Sequence, residues 1–297
     1  MQNNLDQYAR IFQEDAAAVV MPEKLPQVLQ HGTFNNPQWA NSMQWVKGEP
    51  AGSFYKGDYS ATLAELESGA LIEPPKSVNK LADQLTATLT IANIDRRRRR
   101  IAGDEGDINI PRWIDDRDDR LFTRRRRLPQ PAPIVNIFAS IAFSCRQKIQ
   151  RYQEAAAALC AVSQAMEQAG FASNIYTVST ASHALKEKAV MLYSIKQAGT
   201  PLNIAQVWTY ARPEVSRRIN HCMICAYCDF FNLPHMSTLG IPFNIDNHFA
   251  RKITGDSVNV IIPTNAIEET ANDPAALAYV LQRLIDGAFT TTNDEQE

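Results

Sequence analysis

Hydrophobic residues along the chain change their spacing near residue 133. Before it, they recur mainly at helical intervals. Leu5, Tyr8, Ile11 and Phe12 fall near one helical face, so the pattern predicts a helix across LDQYARIFQEDAAAVV, ended by Pro22 and Pro26. An Asn-, Gly- and Pro-rich loop follows, anchored by Trp39 and Trp45. YSATLAELESG reads as a short helix that Ser60 caps and Gly69 closes, and SVNKLADQLTATLTIA as an amphipathic helix. Residues 1–93 therefore read as a mostly helical N-terminal region.

Beyond Pro133 the periods of two and 3.6 alternate. PIVNIFASIAFS is a short apolar run suited to a buried strand, and the alanine-rich CRQKIQRYQEAAAALCAVSQAMEQAG is a long helix closed by Gly170. FASNIYTVSTAS and AVMLYSIK read as strands, and SVNVIIPT as a β-branched one. NIAQVWTYARPEVSRRINHCMICAYCDFF reads as helix in two pieces, broken near Pro213. NDPAALAYVLQRLIDGAF is a last helix, capped by Asp273 with Pro274 at its first position. Strands alternating with long helices imply parallel pairing under covering helices. Residues 94–297 are thus expected to form an α/β domain, doubly wound around a mostly parallel sheet.

Composition places the chain among ordinary globular proteins, with 45% hydrophobic and 21% charged residues over 297 positions. No run reaches the roughly 18 apolar residues of a membrane span, so no membrane partner is expected. The first residues lack a basic, apolar secretory leader, and a cytoplasmic location is expected, in a host cytoplasm if the gene is phage-encoded. Five cysteines, an odd number, argue against a disulfide framework.

Charge alters this picture in one place. Between Asp95 and Arg127 stand twelve arginines and eight acids, a net of +4, which leaves −6 for the remainder of a chain of net charge −2. Arg96, Arg97, Arg98, Arg99 and Arg100 form one run, and Arg124, Arg125, Arg126 and Arg127 another; Arg112, Trp113 and Phe122 lie between them. Guanidinium groups stay charged and offer a planar fork of donors that suits phosphate. The two aromatics add stacking surfaces for unpaired bases. The same strip also suits a solvated edge strand, in which only every second arginine shares a face and the acids pair with their neighbours.

The strip RRIAGDEGDINIP, followed by a strand, a serine-bearing loop, a long helix, a glycine and another strand, resembles the divergent von Willebrand factor A-like domains of phages and mobile elements. The resemblance covers about residues 94–290. It implies a cation site at the carboxyl edge of the sheet, whose first loop reads Asp-x-Ser-x-Ser. Here that loop is Ser140, Ile141, Ala142, Phe143 and Ser144, and a later loop, usually acidic, corresponds to Pro263, Thr264 and Asn265. Without both carboxylates a hard cation is poorly compensated, so a degenerate site without metal is expected.

Cys222, Cys225 and Cys228, beside His221, have a spacing that invites zinc or an iron–sulfur cluster. The same spacing suits small buried residues on one face of a sheet-covering helix, and this is the expected role, with no cofactor. No Gly-x-Ser-x-Gly, phosphate loop or dinucleotide fingerprint occurs, so no enzymatic activity is expected. The sequence points to a phage-type adaptor that binds nucleic acid, single-stranded DNA above all, through the arginine strip, and recruits a polymerase or other replication or transcription machinery. The alternative is a protein-interaction scaffold, such as the partner of a ring-forming ATPase.

Overall fold

The computed structural model describes residues 9–12, 14, 16–29, 59–91, 98–103, 107–108, 122–127, 132–143, 147–183, 187–220, 223–224, 227, 243–255 and 257–293. A six-stranded sheet is built from β1 (Ala9–Phe12), β2 (Ala17–Val20), β6 (Ile134–Ser140), β7 (Ala172–His183), β8 (Glu187–Lys196) and β9 (Val258–Ile262). Its order is β1-β2-β8-β7-β6-β9. Pairings β2–β8, β6–β7 and β6–β9 are parallel, whereas β1–β2 and β7–β8 are antiparallel. The chain is therefore α/β with a mostly parallel sheet. A second sheet holds β3 (Arg98–Gly103), β5 (Phe122–Arg127) and β4 (Asp107–Ile108), in that order.

Helices cover both faces of the large sheet. Val135, Ile137 and Ala139 of β6 belong to the main core, with α1 (Tyr59–Glu67), α2 (Lys76–Thr88), α3 (Ile149–Gln168), α4 (Ile204–Ala211), α6 (Thr264–Glu269) and α7 (Pro274–Asn293). Phe138, one residue out of phase, joins Val178, Leu192 and Val19 on the other face beneath α5 (Asn247–Thr254). The main core draws on residues from both sides of position 94, with Leu25, Val28, Leu63, Val78 and Leu85 in one cluster with Leu159 and Leu281.

Several boundaries follow from local chemistry. In α3, consecutive Ala155, Ala156, Ala157 and Ala158 are all fully buried, and their small side chains let this helix lie close to the sheet. It ends in a Schellman motif: Gly170, at φ +96°, donates to Glu167 O, and Phe171 N donates to Met166 O. At the start of α7, Asp273 Oδ1 accepts from Ala275 N and Ala276 N, with Pro274 in the first turn.

Two expectations are corrected. LDQYARIFQEDAAAVV contains no α-helix among its described residues, but the hairpin β1–β2. Ala16 turns the chain at φ +47°, and Ala17–Val20 form an unbroken buried run that pairs with Val190–Tyr193 of β8. An apolar segment buried on both faces shows no 3.6-residue alternation of its own, and the available sheet edge decides its conformation. Parallel pairing also fails at β7–β8. These strands are consecutive and only three residues apart, too few for a crossover, so they pair antiparallel.

An amide ladder, buried at Asn136 and Asn259, crosses the three neighbouring strands β7, β6 and β9. Asn174 Nδ2 donates to Asn136 Oδ1 at 2.7 Å, and Asn136 Nδ2 donates to Asn259 Oδ1 at 3.2 Å. Its ends are tied by Ala198 N, donating to Asn174 Oδ1 at 2.7 Å, and by the Thr254 hydroxyl, donating to Asn259 Oδ1 at 2.9 Å. The three asparagines stand at matched register positions. Asn136 is only 2% exposed, so truncating it removes the partner of the half-buried Asn174 Nδ2 and one donor to the buried Asn259 Oδ1. Asn136→Ala is expected to destabilise the protein by about 2–3 kcal/mol in urea unfolding, against well under 1 kcal/mol for an exposed substitution such as Ser68→Ala.

Candidate nucleic-acid interface

The two arginine runs meet in the second sheet. β3 and β5 pair antiparallel with Arg98 opposite Arg127, Arg99 opposite Arg126 and Arg100 opposite Arg125. Ile101 then faces Arg124, Ala102 faces Thr123, and Gly103 faces Phe122. On the other side of β5, Asp107 and Ile108 of β4 pair with Thr123 and Phe122. Facing positions in such a ladder have Cβ atoms about 4.5–5.5 Å apart, and like charges directly opposite destabilise it. Three consecutive positions of the ladder thus pair arginine with arginine.

This geometry gathers eight of the sequence-derived candidates: Arg98, Arg99, Arg100, Phe122, Arg124, Arg125, Arg126 and Arg127. Arg96, Arg97, Arg112 and Trp113 lie outside the described residues. Strand alternation was legible in RRRRRIAG, but the pairing of one run against the other was not.

At the carboxyl edge of the large sheet, β6 and β9 are parallel neighbours, so Ser140 and Pro263–Asn265, which the structure makes the start of α6 rather than a loop, leave the sheet on the same side. Ser140 is 2% exposed, and its hydroxyl has no hydrogen-bond partner. Asn244 bridges to the second segment. Its Oδ1 accepts from Thr264 N at 3.0 Å and from Thr264 Oγ1 at 3.2 Å, and its Nδ2 donates to Asn265 Oδ1 at 3.4 Å. Asp246, two residues on, is committed to capping α5 through Phe249 N at 2.8 Å. Ser140, Asn244, Thr264 and Asn265 offer neutral oxygens, which bind a hard divalent cation weakly. Ser144 lies outside the described residues. Among the described residues no group of three or more His, Cys, Asp or Glu side chains converges.

Cys222, Cys225 and Cys228 also lie outside the described residues. Met223, Ile224 and Tyr227, which interleave with them, are buried in the main core.

Sequence reasoning missed the internal ion pairs. Lys196 Nζ meets Glu167 Oε1 at 2.6 Å and donates to Ser173 O at 2.9 Å, beside a buried Ser163–Ser173 hydroxyl contact. Arg212 Nη2 meets Glu65 Oε2 at 2.8 Å, and Arg151 pairs with Glu154 inside α3. The signal was an isolated charge within an apolar run, as in AVMLYSIK. A cleft of ≈590 Å³ lined by Glu23, Lys196, Gln197 and Asn203 has its lysine already engaged in this way. The π-helical turn Glu214–Ile219 was missed as well; it places Ser216 O to accept from the Ser179 hydroxyl at 2.9 Å.

The fold and the paired arginines define an α/β protein with a second, strongly basic antiparallel sheet. The chain belongs to the family described as Domain of unknown function (DUF7192), whose model matches residues 53–285. No curated protein and no solved structure matches it significantly. No helix among the described residues is long and apolar enough to cross a membrane.

The one described cysteine, Cys160, is buried in α3, and burial pushes its thiol up to about 12. The reactive thiolate is thus scarce at pH 8. Cys160 is expected to remain unmodified by iodoacetamide at that pH in the folded protein and to react fully in denaturant, as read by peptide mass spectrometry.

Proposed function

We propose that this protein is a non-enzymatic nucleic-acid-binding adaptor, with single-stranded DNA the favoured ligand, that recruits transcription or replication machinery. The observation that carries this reading is the β3–β5 register, which sets arginine against arginine in three successive pairs. Arginine opposite arginine in a ladder is an arrangement that phosphates favour. Phe122, in the central strand of the same sheet, supplies a ring for an unpaired base. The recruiting role comes from the resemblance to phage-type von Willebrand A-like proteins. That resemblance is supported by the run from β6 through Ser140, α3 and Gly170 into β7, with Ser140 and Pro263–Asn265 at one edge.

The test is fluorescence anisotropy of a labelled single-stranded oligonucleotide at about 50 mM and about 200 mM salt. With at least three phosphate contacts, log K is expected to fall against log salt with a slope of about −2 or steeper. No binding at the lower salt, or binding indifferent to salt, rejects the reading. A stoichiometric protein partner retained without nucleic acid then favours the scaffold alternative.

A further inference from the structure

The backbone contacts of the two sheets divide the fold. β3 packs on β5, and β5 on β4; among the described elements none of these three strands has an extensive backbone contact with a strand or helix of the α/β body. β6 is placed quite differently, with β7 and β9 on its two sides and α3 across one face.

The α/β body, in turn, is assembled across the strip in sequence. α2 precedes the strip and packs along α3 and α7, which follow it. Val78, Ala82 and Leu85 of α2 share one core cluster with Leu159 and Leu281. The body also holds the chain on either side of the strip. Gln282 of α7 clasps Thr90 through both backbone groups: its Oε1 accepts from Thr90 N at 2.9 Å, and its Nε2 donates to Thr90 O at 2.9 Å. Pro133 O accepts from Ala172 N at 2.9 Å, where β6 starts beside β7. The chain thus leaves the body at one fixed point and rejoins it at another, and the main core is continuous between them.

From this separation we infer that the second sheet is a cooperative unit of its own, which opens and closes while the α/β body stays folded. Proteins open in contiguous units, and those with few contacts to the rest open first. This unit pairs six residues of β3 with six of β5 and adds a two-residue strand, a size that is marginal in water without further support. The inference stands apart from the nucleic-acid reading. Where that reading also holds, the ligand orders the ribbon and leaves the body unchanged.

The experiment is native-state hydrogen exchange of the full chain, read by mass spectrometry over a urea series below the main unfolding transition. Amides of β3 and β5 are expected to exchange at least about tenfold faster than those of β6 and α3. Their opening should also depend less on urea, because it exposes less surface. Asn136→Ala, which weakens the large sheet, should speed exchange in β6 and α3 and leave β3 and β5 unchanged. Should that variant fail to fold, the urea series on the parent chain decides. One common rate and urea dependence for both sheets, or equal acceleration of both by Asn136→Ala, overturns the inference. So does a complete lack of protection in β3 and β5, since a unit must close before it can open. Oligothymidylate added at about 50 mM salt is then expected to slow exchange in β3 and β5 alone. If it slows neither sheet, the nucleic-acid reading fails and the separate unit stands; if it slows both sheets equally, the separate unit fails.

Discussion

The arrangement of the central strands depends on three asparagine side chains that hold one another at fixed register. Slipping any strand by one residue turns its whole apolar set to the wrong face, so register is the quantity a two-faced sheet must fix. In β7, β6 and β9 the same position along each strand carries an amide, and each amide uses its neighbour as partner. An apolar side chain at those sites would pack in several registers. A buried amide favours the register in which its groups are paired, because an unpaired one carries a desolvation penalty; here only Asn259 Nδ2 is left without a partner among the ladder's described atoms. With the three strands aligned, Val135 and Ile137 meet the helices of the main core and Phe138 meets α5.

Electrostatics follows opposite rules in the two sheets. Around the large sheet, charges are neutralised in place: Lys196 on Glu167, Arg212 on Glu65, Arg151 on Glu154. A buried charge without a partner costs far more than its pair returns, so the pairing is a condition of folding there. In the small sheet the ladder sets arginine opposite arginine. The excess of +4 between Asp95 and Arg127 thus acquires a shape: a basic ribbon whose paired positions hold one carboxylate, Asp107. On the proposed reading, that shape carries the function, and the large sheet serves as its scaffold.

What the sequence disclosed depends on where the deciding contacts lie. The ends of α3 and α7 were legible because Gly170, Asp273 and Pro274 act within a turn of themselves. The strands from β6 to β9 were legible because each is a short apolar or β-branched run bounded by breakers. The hairpin β1–β2 was not, since its conformation is set by an edge of β8 far along the chain. The ladder was visible only in outline, in the repeated asparagine followed by Ile or Val within VNIF, SNIY and VNVI. Each asparagine looks like a flaw in an apolar strand until the three are brought side by side. The ribbon likewise needed coordinates, because alternation within one run says nothing about which residues of the other run it meets.

The carboxyl edge of the large sheet bears on where function resides. Asn244 ties the segment before α5 to Thr264 and Asn265. The Thr180 hydroxyl holds Phe243 through both backbone groups, donating to its O at 2.6 Å and accepting from its N at 2.9 Å. Donors and acceptors that would turn toward a ligand at this edge are instead spent on closing it, and Asp246 is spent on a helix cap. Charge that is satisfied internally has little left to offer a ligand, whereas like charges held in register are relieved by an external anion. Among the described residues of this edge the Ser140 hydroxyl is left without a partner, and on the proposed reading the ligand is met elsewhere, at the ribbon that pairs arginine with arginine.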